Sequence, residues 1–158
     1  MTPVCTPTKF NHMSFPTQDV LATSTFFERY LGFSASMTTP NFAILKRPGF
    51  DIVIERAASD APTVKALGAS RSNAFADCVG ESPTEATWPM AFHIGLELPT
   101  LDDVRALRDQ LAADGFDAET EIFNNDRGSR FFLRAPGGVM VEFTTRADAA
   151  EEFRGTFN

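Results

Sequence analysis

The residues that could do chemistry here are the scarce ones. The chain has two histidines, His12 and His93. Each lies in a short apolar stretch, KFNHMSF and AFHIGLEL. Two glutamates are placed similarly, Glu55 in DIVIERA and Glu142 in VMVEFTT. An ionised carboxylate among apolar strand residues is costly unless it is paired or ligates a metal. Two imidazoles and two carboxylates are hard-to-borderline donors. They suit a divalent ion such as Zn, Ni, Mn, Fe or Co, with room left for water or substrate. Taken singly, each residue has a plainer reading, a hydrogen-bonded core histidine or a charge at a sheet end. Taken together, their matching places predict a metal site of His12, Glu55, His93 and Glu142.

The elements around them repeat. Phe10, His12 and Ser14 alternate with their neighbours as in a strand with two different faces, which Pro16 is expected to end. Thr17 is a candidate helix N-cap, with Asp19 favouring the first turn. Val20, Phe27 and Leu31 then recur at helical spacing, widened by Phe26 and Tyr30, and Gly32 stops the helix. Residues 33–38 and 41–46 read as strands, Arg47-Pro48-Gly49 as a turn and Phe50 to Arg56 as a strong strand.

The second half runs in the same order. Residues 92–98 form a strand. Thr100 with Asp103 resembles a capping box, although Asp is a poor substitute for Glu there. Val104, Leu107 and Leu111 make the apolar stripe, and Gly115 stops the helix. Strands are expected over 116–123, 130–134 and 139–144, with a polar loop at 124–128, a turn at Pro136-Gly137-Gly138 and a helical or loose tail from Ala147. His12 stands 20 positions before Gly32, and His93 stands 22 before Gly115. Pro48 precedes Glu55 by 7 positions and Pro136 precedes Glu142 by 6. Shared order, turn residues and polar insertions argue for a duplicated βαβββ unit. Either unit alone would leave a sheet face exposed, so the two are expected to pack and converge their inward residues. The expected organisation is one domain over 1–158: module one 8–57, a linker 58–88, module two 89–147 and a tail 148–158. The linker is rich in Ala, Ser, Thr, Asp and Pro and is long enough to cover a site or a partner surface.

Composition narrows the classes. A length of 158 residues with 43% hydrophobic content supports a real core. The net charge of -7 argues against a nucleic-acid partner. No apolar run is long enough to span a bilayer, so no membrane partner is expected. Met1 to Thr8 lacks a basic start and an apolar middle, which reads as no secretory leader. Cys5 and Cys78 lack a CxxC spacing and are expected to be free thiols in the cytoplasm. Sixteen Phe against one Tyr and one Trp point to a Phe-packed core or, more sharply, to Phe lining an apolar pocket.

KFNHMSF, FFERYLGF, DIVIE, FHIGLEL and RFFLRAPGGVMVEF together resemble the vicinal oxygen chelate superfamily, the glyoxalase/bleomycin-resistance/dioxygenase fold. The resemblance covers roughly residues 8 to 147. It implies an α+β fold of two paired βαβββ modules, a cupped, barrel-like mixed sheet with the helices outside, and a homodimer. It implies a divalent metal at His12, Glu55, His93 and Glu142, and a small-molecule substrate chelated through neighbouring oxygens. In isomerase members a metal-bound carboxylate also serves as base, which makes Glu55 and Glu142 the catalytic candidates. The implied activity is a glyoxalase-like isomerase or lyase acting on an oxygenated metabolite or antibiotic. The alternatives are a drug- or metabolite-binding resistance protein of the bleomycin type and a ring-cleaving dioxygenase.

Departures narrow this further. Pro16 stands where the bacterial glyoxalase pattern has an arginine for the glutathione carboxylate, and Ser59 stands where it has an asparagine. Methylmalonyl-CoA epimerases usually show Gln where Glu55 stands. A dioxygenase needs a further His and a Tyr, but both histidines are already spent and Tyr30 falls on a helix. A phosphonate site would draw on Arg130, Arg127, Lys46 and Ser129. Bleomycin-binding members generally lack the metal ligands that this chain keeps.

Overall fold

A computed structural model describes residues 9, 11–56 and 92–156. The elements run β1 (Met13–Thr17), α1 (Val20–Tyr30), β2 (Ser34–Thr38), β3 (Phe42–Arg47) and β4 (Phe50–Arg56). Then come β5 (His93–Glu97), α2 (Leu101–Ala113), β6 (Phe123–Asn124), β7 (Ser129–Arg134), β8 (Met140–Thr144) and a 3-10 turn at Glu151–Phe153. The chain divides into two compact units, Met1–Ala86 and Thr87–Asn158. Each holds one open, four-stranded mixed sheet, ordered β1-β4-β3-β2 in the first and β5-β8-β7-β6 in the second. In both, the first strand runs parallel to the last and the other pairs are antiparallel. The architecture is the α+β pairing of βαβββ modules that the repeat implies, and neither sheet closes into a barrel. The predicted linker, Cys5, Cys78 and Ser59 lie outside the described residues.

Each sheet has one apolar face under a helix. In unit 1, Phe15, Ile52, Ile54, Ala43 and Leu45 are buried together with Val20, Phe26, Phe27 and Leu31 of the α1 segment. The ring of Phe27 lies 6.0 Å from Phe15 and 5.7 Å from Phe33. In unit 2, Phe131 and Phe143 stack at 5.1 Å, and Val104 and Leu111 of α2 are fully buried. Burying one such side chain is worth roughly 1.5–3 kcal/mol. Phe15, Phe26, Phe27, Phe33, Phe131 and Phe143 are therefore core, whereas Phe132 is half-buried and Phe123 exposed.

Several local expectations are corrected. Pro16 does not end β1; it lies inside it, opposite Glu55. β1 is an edge strand, where a missing N–H is tolerated. Thr17 is therefore a buried strand residue, and Asp19 is the N-cap, its carboxylate accepting from Ala22 N at 2.9 Å. The strand expected over 116–123 reduces to a single bridge at Ala118 and the two-residue β6. There, the Thr120 hydroxyl accepts the Phe132 N–H at 3.1 Å, which a ladder carbonyl would otherwise take. The capping box does form, with Asp103 in place of Glu: Asp103 N donates to Thr100 Oγ1 at 3.1 Å, and Thr100 N to Asp103 Oδ2 at 3.0 Å.

Candidate metal and substrate site

The face of each sheet away from its helix carries the polar residues. Side chains paired across a ladder share a face, and residues two apart along a strand share it too. In unit 2 that face holds His93, Gly95 and Glu97 of β5, Glu142 and Thr144 of β8, and Arg130 and Phe132 of β7. Gly95 lies opposite Glu142, so His93 sits one rung before it. His93 Nε2 lies 3.1 Å from Glu142 Oε2. The other carboxylate oxygen, Oε1, accepts from Arg130 Nη1 at 3.2 Å. Side-chain exposure is 11% for Glu142 and 10% for Arg130, so this ion pair is largely withdrawn from water. The Phe132 ring meets His93 edge-on at 5.7 Å and stacks on Phe123 at 6.3 Å. A pocket of about 490 Å³ opens here, lined by His93, Gly95, Glu97, Glu142, Thr144 and Arg146.

Unit 1 is built differently at the matching place. Pro16 lies opposite Glu55. One rung before Pro16 is Ser14, whose hydroxyl donates to Glu55 Oε1 at 3.2 Å. His12 is two rungs before Pro16, just ahead of β1, and its Nδ1 lies 2.7 Å from Asn11 Oδ1. The histidine and glutamate thus keep the same face parity in both halves. The first pair is separated by one extra rung, roughly 6.7 Å along the strand. Burial pushes the Glu55 carboxyl above its ordinary range; the Ser14 hydrogen bond and the charge of His12 partly oppose this.

The residues of the phosphonate expectation do not gather. Lys46 pairs with Asp51 at 3.0 Å in unit 1. The Arg127 guanidinium lies over the Phe153 ring. Ser129 gives its N–H and hydroxyl to Asp148, on the side of its strand away from Arg130. Only Arg130 reaches the polar face beside Glu142. Its contact with Glu142 was legible in principle, because an Arg and a Glu two residues off opposite in a hairpin are diagonal neighbours. Tyr30 packs on Phe26 within α1.

Among the described residues, no three His, Cys, Asp or Glu side chains are grouped so as to hold an ion. The closest approach to such a group is the His93–Glu142 pair. Two ligands about 2.1 Å from one ion, at bond angles of about 90–110°, stand about 3.0–3.4 Å apart. The 3.1 Å spacing fits two adjacent ligands of one divalent ion.

The chain belongs to the Glyoxalase/Bleomycin resistance protein/Dioxygenase superfamily, whose family model matches residues 9–143. Solved structures share the fold. A structure described as a possible glyoxalase from Bacillus cereus is 22% identical, with a TM-score of 0.61, over 87% of this chain and 99% of that one. A lactoylglutathione lyase from Agrobacterium tumefaciens is 11% identical at 0.61, over 88% and 94%. The fosfomycin resistance protein FosX from Listeria monocytogenes, complexed with Mn(II) and sulfate, is 13% identical at 0.61, over 94% and 96%. A search of curated proteins returned no match. Among the described residues, no helix is long and apolar enough to cross a membrane.

Proposed function

We propose that this chain is a divalent-metal enzyme of the glyoxalase kind, an isomerase or lyase whose small substrate presents two neighbouring oxygens. The observation that carries the reading is the His93–Glu142 pair, spaced 3.1 Å apart beside a pocket of about 490 Å³. The residues that would hold the ion, one of Zn, Ni, Mn, Fe or Co, are His12, Glu55, His93 and Glu142. When bound, it supplies a Lewis acid that stabilises negative charge developing on a substrate oxygen. The chain's own groups divide the remaining work. Glu55 is the candidate base, and burial pushes its carboxyl above the ordinary range. Glu142, with one oxygen engaged by Arg130, is held in one orientation. Phe132, edge-on to His93, and Phe123 stacked on it place an aromatic surface beside the pocket for the apolar part of a substrate. Pro16 offers no cation to a glutathione carboxylate, which favours a different oxygenated metabolite or an antibiotic. Assembly as a cytoplasmic homodimer belongs to the same proposal.

The test is elemental analysis of protein purified without added metal, followed by titration with Zn²⁺ and Mn²⁺. Wild type is expected to hold an ion that His93→Ala releases. Wild type that neither carries nor takes up metal ends the reading. The second reading, a bleomycin-type binding protein, is favoured by the Phe123–Phe132 stack beside the pocket. Small-molecule binding that survives His12→Ala and His93→Ala together would select it.

A further inference from the structure

We infer that Arg130 is a positioning residue that makes Glu142 a one-oxygen donor directed at His93. Three contacts fix the guanidinium. Nε and Nη2 both donate to the Gly128 carbonyl, at 3.3 and 3.2 Å, and Nη1 donates to Glu142 Oε1 at 3.2 Å. A planar fork held at one end on a backbone carbonyl has little freedom at the other. Glu142 Oε2 is then the oxygen left facing His93 Nε2.

The anchor is itself braced. Gly128 has φ +97°, and a Cβ there would clash with the Thr145 carbonyl. Thr145 N donates back to Ser129 O at 2.9 Å, and Asp148 takes the Ser129 N–H at 2.9 Å. The Arg146 guanidinium donates to Arg127 O at 2.8 Å. The segment after β8 therefore straps the 127–129 backbone in place, and that backbone aims Arg130. Among the described residues, unit 1 has no counterpart to this arrangement at Glu55, which accepts from the Ser14 hydroxyl.

The inference rests on the metal reading for its affinity arm and stands apart from it in a second arm. In the affinity arm, Mn²⁺ binding to full-length Arg130→Met and Arg130→Lys is measured by calorimetry. Loss of a group that orients a ligand weakens metal binding by about 10- to 100-fold. Met is expected to bind Mn²⁺ about 10-fold or more weakly than wild type, and Lys to recover part of the loss. On charge alone the order would invert, because Lys keeps a cation beside the ion and Met removes it. Met binding as tightly as wild type, or more tightly than Lys, overturns the inference. If Arg130→Met does not fold, an affinity drop in Arg130→Lys supports the inference and an unchanged affinity overturns it.

The second arm needs no metal. The ¹⁵N signals of the two imidazoles are recorded in the metal-free protein and assigned with His12→Asn. Arg130→Lys and Arg130→Met are expected to shift the His93 signals and leave those of His12 in place. A His93 signature unchanged in both variants overturns the inference. Wild type that takes up no metal would sink the proposed function and leave this arm to decide the positioning role.

Discussion

The two units share a strand order and differ at the residues that matter. In unit 2, His93 and Glu142 are one rung apart and touch, and Glu142 is held from behind by a buried arginine. In unit 1, the serine occupies the rung that histidine holds in unit 2, and His12 lies one rung further out, hydrogen-bonded to Asn11. Glu55 is half-buried, and its ionised form is disfavoured by desolvation. Duplication of a module therefore preserves topology and face without preserving local pairing. Among the described residues, one half presents a preorganised donor pair, and the other presents a carboxylate that accepts from one hydroxyl. Preorganisation favours tight, directional ligation, because no reorientation is needed when the ligand arrives.

The largest expected effect concerns the brace under that pair. Gly128→Ala drives a Cβ into the Thr145 carbonyl at φ +97° and should cost more than about 3 kcal/mol in urea denaturation. Gly49→Ala, at φ +82° with nothing within 4 Å, should cost only about 1–2 kcal/mol. Equal losses would mean that the strap does not brace unit 2.

The next effect is on metal affinity. Loss of an outer-shell partner costs about 10- to 100-fold in metal affinity. Glu142→Gln, at a ligand, should therefore weaken Mn²⁺ or Zn²⁺ binding by about 100-fold or more and Glu55→Gln by less, about 10-fold. Calorimetric titration decides it, and equal losses would mean that the extra rung in unit 1 is closed when metal binds.

The smallest effect is a contrast in pH dependence. Burial works against the Asp148 carboxylate, but hydrogen bonds from Ser129 and Asn124 outweigh it and hold its pKa below the ordinary range. Its contribution is present above the ordinary Asp pKa and is lost as pH falls through the lowered value. Asp148→Ala should therefore cost about 1 kcal/mol at neutral pH. Thermal melts should show that gap closing in acid. Glu55 runs the other way. Its raised pKa means that its contribution is present below the ordinary Glu pKa and is lost as pH rises through the raised value. In metal-free protein, Glu55→Gln should be at least as stable as wild type at neutral pH, with the difference vanishing in acid. The same pH response from both variants would remove the contrast.

Much of the fold was readable because its signals are local. The stripe Val20, Phe27 and Leu31 and the stop at Gly32 describe α1, where Gly32 takes φ 69°. The Pro48-Gly49 turn sits between the paired Arg47 and Phe50. The misses share one cause. Pro16 reads locally as a strand stop, yet a sheet edge accepts it, and edge position is a property of the whole sheet. Residues 116–123 alternate like a strand, yet the Thr120 hydroxyl captures the Phe132 N–H and the ladder does not form.

The site divides along the same line. Sequence alone determined the duplicated βαβββ order, the face on which His93 and Glu142 lie, and the rarity that singles out two histidines. Strand periodicity is two residues, so it reports face and is blind to which rung meets which. Tertiary structure decided the rungs: Gly95 opposite Glu142, Pro16 opposite Glu55, and Arg130 diagonal to Glu142. Register is set by hydrogen bonds between strands far apart in the chain. That is why two halves with matching motifs place their carboxylates in different company.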